Sequence, residues 1–170
     1  MMRYELGKWN LDELVKNPTR STIDKKLAEI EKNTKKFTSI KKNLRPNITS
    51  TKFLKLLSDI EHIAEKSSMI GGYSSLRYSE NTQSDEATSL LMRISKFNSE
   101  MENKLLFFDL WWKKQIDERN AKRLIKSAGQ FSEYLKFKRL LAKYSLSEPE
   151  EKIINTLDVT GASALVKLYD

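Results

Sequence analysis

The chain has 170 residues, 31 Lys and Arg against 23 Asp and Glu, one histidine, five glycines, three prolines and no cysteine. Its length fits one domain with a core that needs no staples. The missing cysteines exclude disulfides and thiolate chemistry, scarce Gly and Pro disfavour a turn-rich β fold, and no run approaches the ~18 apolar residues of a membrane span.

The elements read in order. Trp9, Leu11, Leu14 and Val15 predict a short helical turn that Pro18 stops. Ser21 with Asp24 three residues on resembles a weak capping box. It opens a helix whose stripe is Ile23, Leu27, Ile30, Thr34, Phe37 and Ile40, ending at Leu44-Arg45-Pro46-Asn47. Thr49 or Thr51 caps the next helix, which carries Phe53, Leu56, Leu57, Ile60, Ile63, Ala64, Ile70, Tyr73 and Leu76 over roughly 30 residues. Gly71-Gly72 stands inside it; the stripe resumes in phase afterwards, so a continuous helix is expected. Ser84 caps a second long helix, with Asp85 and Glu86 in its first turn. Its stripe runs from Ala87 through Leu90, Leu91, Ile94, Phe97, Met101 and Leu105 to Phe108 and Trp112.

Two long helices around a short polar turn predict an antiparallel hairpin. Three or four shorter helices follow: Asp117 to Ser127, Ser132 to Tyr144, one opened by Ser147-Glu148-Pro149-Glu150, and one from Ala162 to Tyr169. Ile153, Ile154 and Leu157 are expected to be buried, and Gly161 to stop that third helix. The fold class is therefore all-α, a long antiparallel hairpin plus several shorter helices, in a single domain spanning 1–170. Apolar residues up to Tyr169 point to the N-terminal lobe of a larger protein.

The charge is unevenly spread. Residues 1–50 carry +6, residues 51–110 carry −2, residues 111–143 carry +7 and residues 144–170 carry −3. A basic surface attracts polyanions, but lysine-rich solvated helix faces give the same numbers.

The search for chemistry assigns no catalytic, cofactor-binding or metal-ligating residue. His62 follows Glu61, but Lys66 stands four residues on where a zinc helix would need a second His. With no Cys and one His, neither common zinc ligand set can be assembled. Gly71-Gly72 lacks the spacing and the Lys of a phosphate loop. Glu61/Glu65 and Glu150/Glu151 read as ordinary helix surface. Leu105-Leu106-Phe107-Phe108-Asp109-Leu110-Trp111-Trp112 is apolar all round and is expected at the centre of the core, ahead of the basic run Lys113, Lys114, Arg119, Lys122, Arg123 and Lys126.

The order of several motifs carries a resemblance. Trp9-Asn10-Leu11-Asp12-Glu13-Leu14, the tyrosine-rich helix end Tyr73 to Thr82, Leu105-Leu106-Phe107-Phe108, Tyr134 to Lys138, Leu146-Ser147-Glu148-Pro149-Glu150-Glu151, and the closing Thr160-Gly161-Ala162-Ser163-Ala164 with Leu168-Tyr169 follow one another. Together they resemble the N-terminal helical region of the oligoendopeptidase F family of zinc metallopeptidases. Trp111-Trp112 departs from the pattern, where more polar residues are expected.

The resemblance implies a cytoplasmic peptidase in which short peptides enter a helical channel. Zinc is implied for the full-length parent, held by a His-Glu-x-x-His helix and a further Glu downstream of residue 170. No residue here matches those ligands, so the chain is expected to form channel wall and to carry no cofactor and no catalytic role by itself. Self-association of the fragment through Leu165, Leu168 and Tyr169 is a further expectation, with neither membrane nor nucleic acid as partner. The competing class is a stand-alone helical binding module for nucleic acid or an acidic protein.

Overall fold

The computed structural model describes residues 9–161, apart from the side chain of Thr160. Six α-helices follow in order: α1 Arg20–Thr38, α2 Ser50–Glu80, α3 Asp85–Leu110, α4 Glu118–Lys126, α5 Ser132–Leu140 and α6 Glu148–Thr160. No strand occurs among the described residues. The helix expected over 162–169 lies outside them.

α2 and α3 form the predicted hairpin. Thr49 caps α2 by accepting from the Lys52 N–H, and Ser84 caps α3 by accepting from the Ala87 N–H. Each cap satisfies a donor that the first helical turn leaves orphaned. Ile63, Leu91, Ile94 and Phe108 are buried between the helices, with Ile60 and Phe97 packed at the edge. Ala64 and Leu76, although in phase with the α2 stripe, face solvent.

The sequence does not show that α1 completes the hairpin as a third long helix. It packs on both α2 and α3. Ile23, Leu27, Ile30, Thr34 and Phe37 are buried as the period requires, and ion pairs Asp24–Arg93, Glu29–Lys66 and Glu31–Lys104 lace the seams. The order of these pairs makes α1 parallel to α3 and antiparallel to α2. The N-cap of α1 is Thr19, which accepts from the Thr22 N–H, and not Ser21. Asp24 is therefore free of capping duty and pairs with Arg93 instead. Before it, Leu11 to Val15 make one turn, with the Val15 N–H donating to the Leu11 carbonyl. Val15 is buried, but the Trp9 side chain remains 52% exposed, and only its backbone N–H reaches the bundle, donating to the Glu80 carboxylate at 3.3 Å.

The Leu105–Trp112 octet is the centre of the core, as expected. Phe107, Phe108, Leu110, Trp111 and Trp112 are all buried. An α-helix cannot turn so many consecutive positions toward one neighbour, and three neighbours share them. Phe37 of α1 meets Phe108 edge-on at 5.4 Å, and Phe53 of α2 stacks on Trp112 at 5.2 Å. The Trp112 Nε1–H donates to the Leu135 carbonyl of α5 at 3.0 Å. The helix widens here into a π turn over Trp111–Gln115, closed by the Ile116 N–H on the Trp111 carbonyl. A π turn inserts one residue without losing the ladder.

α2 runs unbroken through Gly71-Gly72. A Cβ on Gly71 would sit 3.2 Å from the Asn98 Nδ2 of α3, whereas one on Gly72 would meet the Leu14 Cδ1 at 3.9 Å, an ordinary contact. The first glycine thus lets α3 approach, and the second makes only room. We predict that Gly72→Ala raises stability by about 0.5–1 kcal/mol through helix propensity. Gly71→Leu should cost about 1–3 kcal/mol by overpacking. Urea midpoints of the two variants check the opposite signs. Trp112→Ala should cost about 3–5 kcal/mol in the same assay, the range for emptying a large buried aromatic site.

Candidate interaction surface

α6 is attached to the bundle the wrong way round for a core helix. Ser147 and Glu150 form the predicted capping box, and Gly161 ends the helix. Positions 152, 155, 156 and 159, one helical face by their spacing, turn toward α3. The seam is polar. The Ser99 Oγ–H donates to the Asn155 carbonyl at 2.9 Å, the Asn155 Nδ2 donates to the Asn103 Oδ1 at 3.0 Å, and the Asn103 Nδ2 donates to the Thr156 Oγ1 at 3.3 Å. At the start of α6, the Glu148 carboxylate receives Lys41 at 3.0 Å and Lys152 at 2.7 Å.

The expectation that Ile153, Ile154 and Leu157 are buried is therefore overturned. Together with Tyr134, Phe137, Leu140, Tyr144 and Leu146 they are 43% to 70% exposed. Most of the large exposed apolar side chains among the described residues fall between 134 and 157. Scattered single exposures are ordinary, but this concentration marks a surface that another body covers. Residues of α6 that satisfy the polar edge of α3, namely Asn155 and Thr156, were the readable sign that its other face points away.

Between α5 and α6 lies a groove of 260 Å³. Leu105, Leu106 and Trp112 are at its base with Leu57 and Ile60, Tyr134 and Leu135 stand on the α5 side, and Asn155 stands on the α6 side. Three ionisable groups enter it: Glu102, Asp109 and Lys138. Asp109 accepts Lys138 at 2.9 Å and Lys113 at 2.5 Å. Burial opposes the charge of Lys138, but the Asp109 carboxylate outweighs it and holds the ammonium above the usual lysine range. Burial and then the negative charge of Asp158 push the Glu102 carboxyl up.

Four cations of the basic run after the octet have structural partners. Lys113 pairs with Asp109, and Lys114 donates to the Ser145 and Leu146 carbonyls. Lys122 pairs with Glu118, while Arg123 donates to the Ile48 carbonyl at 2.8 Å and so ties α4 to the entry of α2. Arg139 donates to the Trp112 carbonyl at 3.0 Å and pairs with Glu118 at 2.8 Å.

His62 is on the outer face of α2, 3.9 Å from the Glu65 carboxylate, while Lys66 pairs with Glu29. Glu61 and Glu65 are exposed, Glu150 caps α6, and Glu151 accepts from the Leu146 N–H at 2.8 Å. Among the described residues no group of three or more His, Cys, Asp or Glu side chains is placed to hold a metal ion. No described helix is long and apolar enough to cross a membrane.

Because ions and amides hold α6, its attachment is sensitive to pH. Hydrogen bonds from Lys152 and then Lys41 hold the Glu148 carboxyl below the usual glutamate range. A carboxyl depressed in the folded state contributes stability that is present above its unfolded pKa and lost as pH falls through the folded value. Glu102 has the opposite sign, so its protonation relieves repulsion and partly offsets that loss. We predict that α6 loosens as pH falls below the usual glutamate range, before the α1–α3 bundle melts. Backbone carbon shifts across 148–160, followed by NMR titration, check it, and Glu148→Gln should flatten the transition at the α6 start.

The comparisons bear on this same stretch. The family model for the N-terminal part of the M3 peptidases, described as oligopeptidase F, matches residues 114–170. No curated protein and no solved structure matches the chain. The match begins in the π turn and takes in α4, α5 and α6; the motifs at Trp9–Leu14, Tyr73–Thr82 and Leu105–Phe108 lie before it. In this last third, where α5 and α6 turn their apolar side chains outward, the chain resembles the N-terminal region of the oligopeptidase F family.

Proposed function

We propose that the chain is the N-terminal lobe of a zinc-dependent oligoendopeptidase that acts in the cytoplasm. It forms part of the wall of a channel for short peptides and performs no chemistry by itself. The observation that carries this reading is a coincidence of place. The stretch similar to oligopeptidase F is the one whose apolar side chains lack a cover. A wall element of a larger enzyme has such a face because the rest of the enzyme packs on it, and a self-contained domain does not.

The chemistry of the side chains agrees. One histidine and no cysteine cannot supply either common zinc ligand set. Zinc and the general base belong to the downstream part of the parent. The lobe's contribution is steric and electrostatic, limiting which peptides reach the metal.

The reading is tested in two steps. The reading frame beyond residue 170 should encode a His-Glu-x-x-His helix; a parent without one sinks the proposal. The 170-residue chain alone should cleave no fluorogenic peptide and should show no stoichiometric zinc uptake by calorimetry. Equimolar tight binding abolished by His62→Ala would contradict it.

A further inference from the structure

α6 runs antiparallel to α3 and stops partway along it. Glu148 and Lys152 share a hollow with Asn103 and Phe107, Asn155 shares hydrogen bonds with Ser99 and Asn103, and Val159 stands beside Ser95 and Ser99. From Val159 a second hollow, of 830 Å³, continues along the N-terminal half of α3. Thr88, Leu91, Met92 and Ser95 line it, with Tyr78 and Thr82 beside the α2–α3 turn. Met92 is 63% exposed there. The hollow therefore begins where the described part of α6 ends, at Gly161, and prolongs the line of that helix.

We infer that this hollow is the seat of the chain's own next segment, residues 162–170, which lie outside the described part, and that its apolar side chains cover Leu91 and Met92. Three observations select that occupant. The first is reach. α3 rises about 16 Å from Ser99 to Thr88. A segment of this length spans about 14 Å as a helix and about 30 Å extended, so it covers the hollow in either form. The second is chemistry. Leu165, Val166, Leu168 and Tyr169 make the segment rich in large apolar side chains, and seating them on Leu91 and Met92 takes apolar surface of both partners out of water. The third is attachment. The segment is tethered at the edge of the hollow, and a short link gives it a millimolar effective concentration there. A second copy of the chain has no such advantage. The side chains expected to join two copies are thus turned onto their own chain. The inference is independent of the lobe reading, since both partners are residues of this chain.

The test uses the full 170-residue chain. It has no cysteine, so Lys167→Cys carries a single nitroxide label at a polar position of the segment. The amide signals of residues 88–96 should be lost to paramagnetic broadening, and should return when the label is reduced. Met92→Glu, at an exposed position of α3, should restore most of those signals with the label still active. Leu165→Asp, in the segment itself, should do the same without touching the bundle. Circular dichroism of each variant checks that the helices are kept, and either variant alone suffices for the comparison. Broadening that neither substitution relieves overturns the inference, because a tethered but unseated segment gives that result. Broadening centred on residues 134–157 overturns it too, since the segment then covers the apolar side chains of α5 and α6. A mixed sample, in which unlabelled isotope-enriched chains meet spin-labelled chains of natural abundance, separates the last case. Loss of the 88–96 signals there makes a second copy the occupant and overturns the inference, and intact signals support it.

Discussion

The aromatic knot at one end of the bundle is the constraint on which the rest depends. Phe37, Phe53, Phe107, Phe108, Trp111 and Trp112 come from three helices and touch in a chain of contacts between 5.2 and 6.4 Å. Such pairs contribute beyond their burial because ring edges and faces carry opposite partial charge. The knot aligns α1 with the α2–α3 hairpin. Through the indole N–H of Trp112 it also sets where α5 starts to pack. A second anchor, Arg139, lies over the Trp112 ring at 5.9 Å and bonds the carbonyls that the π turn leaves exposed. These two side chains fix α5 against the end of α3.

That dependence explains the contrast between the two halves. The α1–α3 bundle is held by apolar burial, which is non-directional and strong per side chain. The α4–α6 layer adds directed polar bonds, and α6 relies on them: Arg123 to the Ile48 carbonyl, Lys114 to the Ser145 and Leu146 carbonyls, and the Asn103, Asn155 and Thr156 ladder. A net hydrogen bond is worth about 1 kcal/mol, less than one buried leucine. α4 and α5 also bury Leu124 and Leu135 in the core, whereas α6 turns Ile153, Ile154 and Leu157 outward and has the weaker grip on the bundle. An arrangement of this kind suits a lobe that completes a larger enzyme and sits poorly with a domain that must stand alone.

The positive charge belongs to the same account. Charge counting along the chain shows two basic blocks and leaves their purpose open. In three dimensions several cations of the second block act as clasps: Arg123 on the Ile48 carbonyl, Arg139 on the Trp112 carbonyl, and Lys113 and Lys138 on Asp109. Arginine serves this role well because its planar fork reaches several acceptors at once.

The amino-acid sequence by itself determined the helical class, the long hairpin, the caps at Ser84 and Ser147, and the burial of the octet around Phe107 and Trp112; it left the α2 cap between Thr49 and Thr51, and the structure chose Thr49. Those features follow from local rules: a cap oxygen serves an N–H three residues on, and apolar side chains recur with the helical period. The same ordered motifs carried the family resemblance, which the comparison supports over residues 114–170. Only the tertiary structure decided that α1 joins the hairpin, that the cap of α1 is Thr19, and that Ile153, Ile154 and Leu157 face outward. A stripe says which side chains share a face of a helix, but not which face meets the protein. α6 has both an apolar and a polar face, and Ser99 and Asn103 on α3 provided partners for the polar one. The choice was made by side chains more than fifty positions away in the chain, whose approach no local pattern encodes.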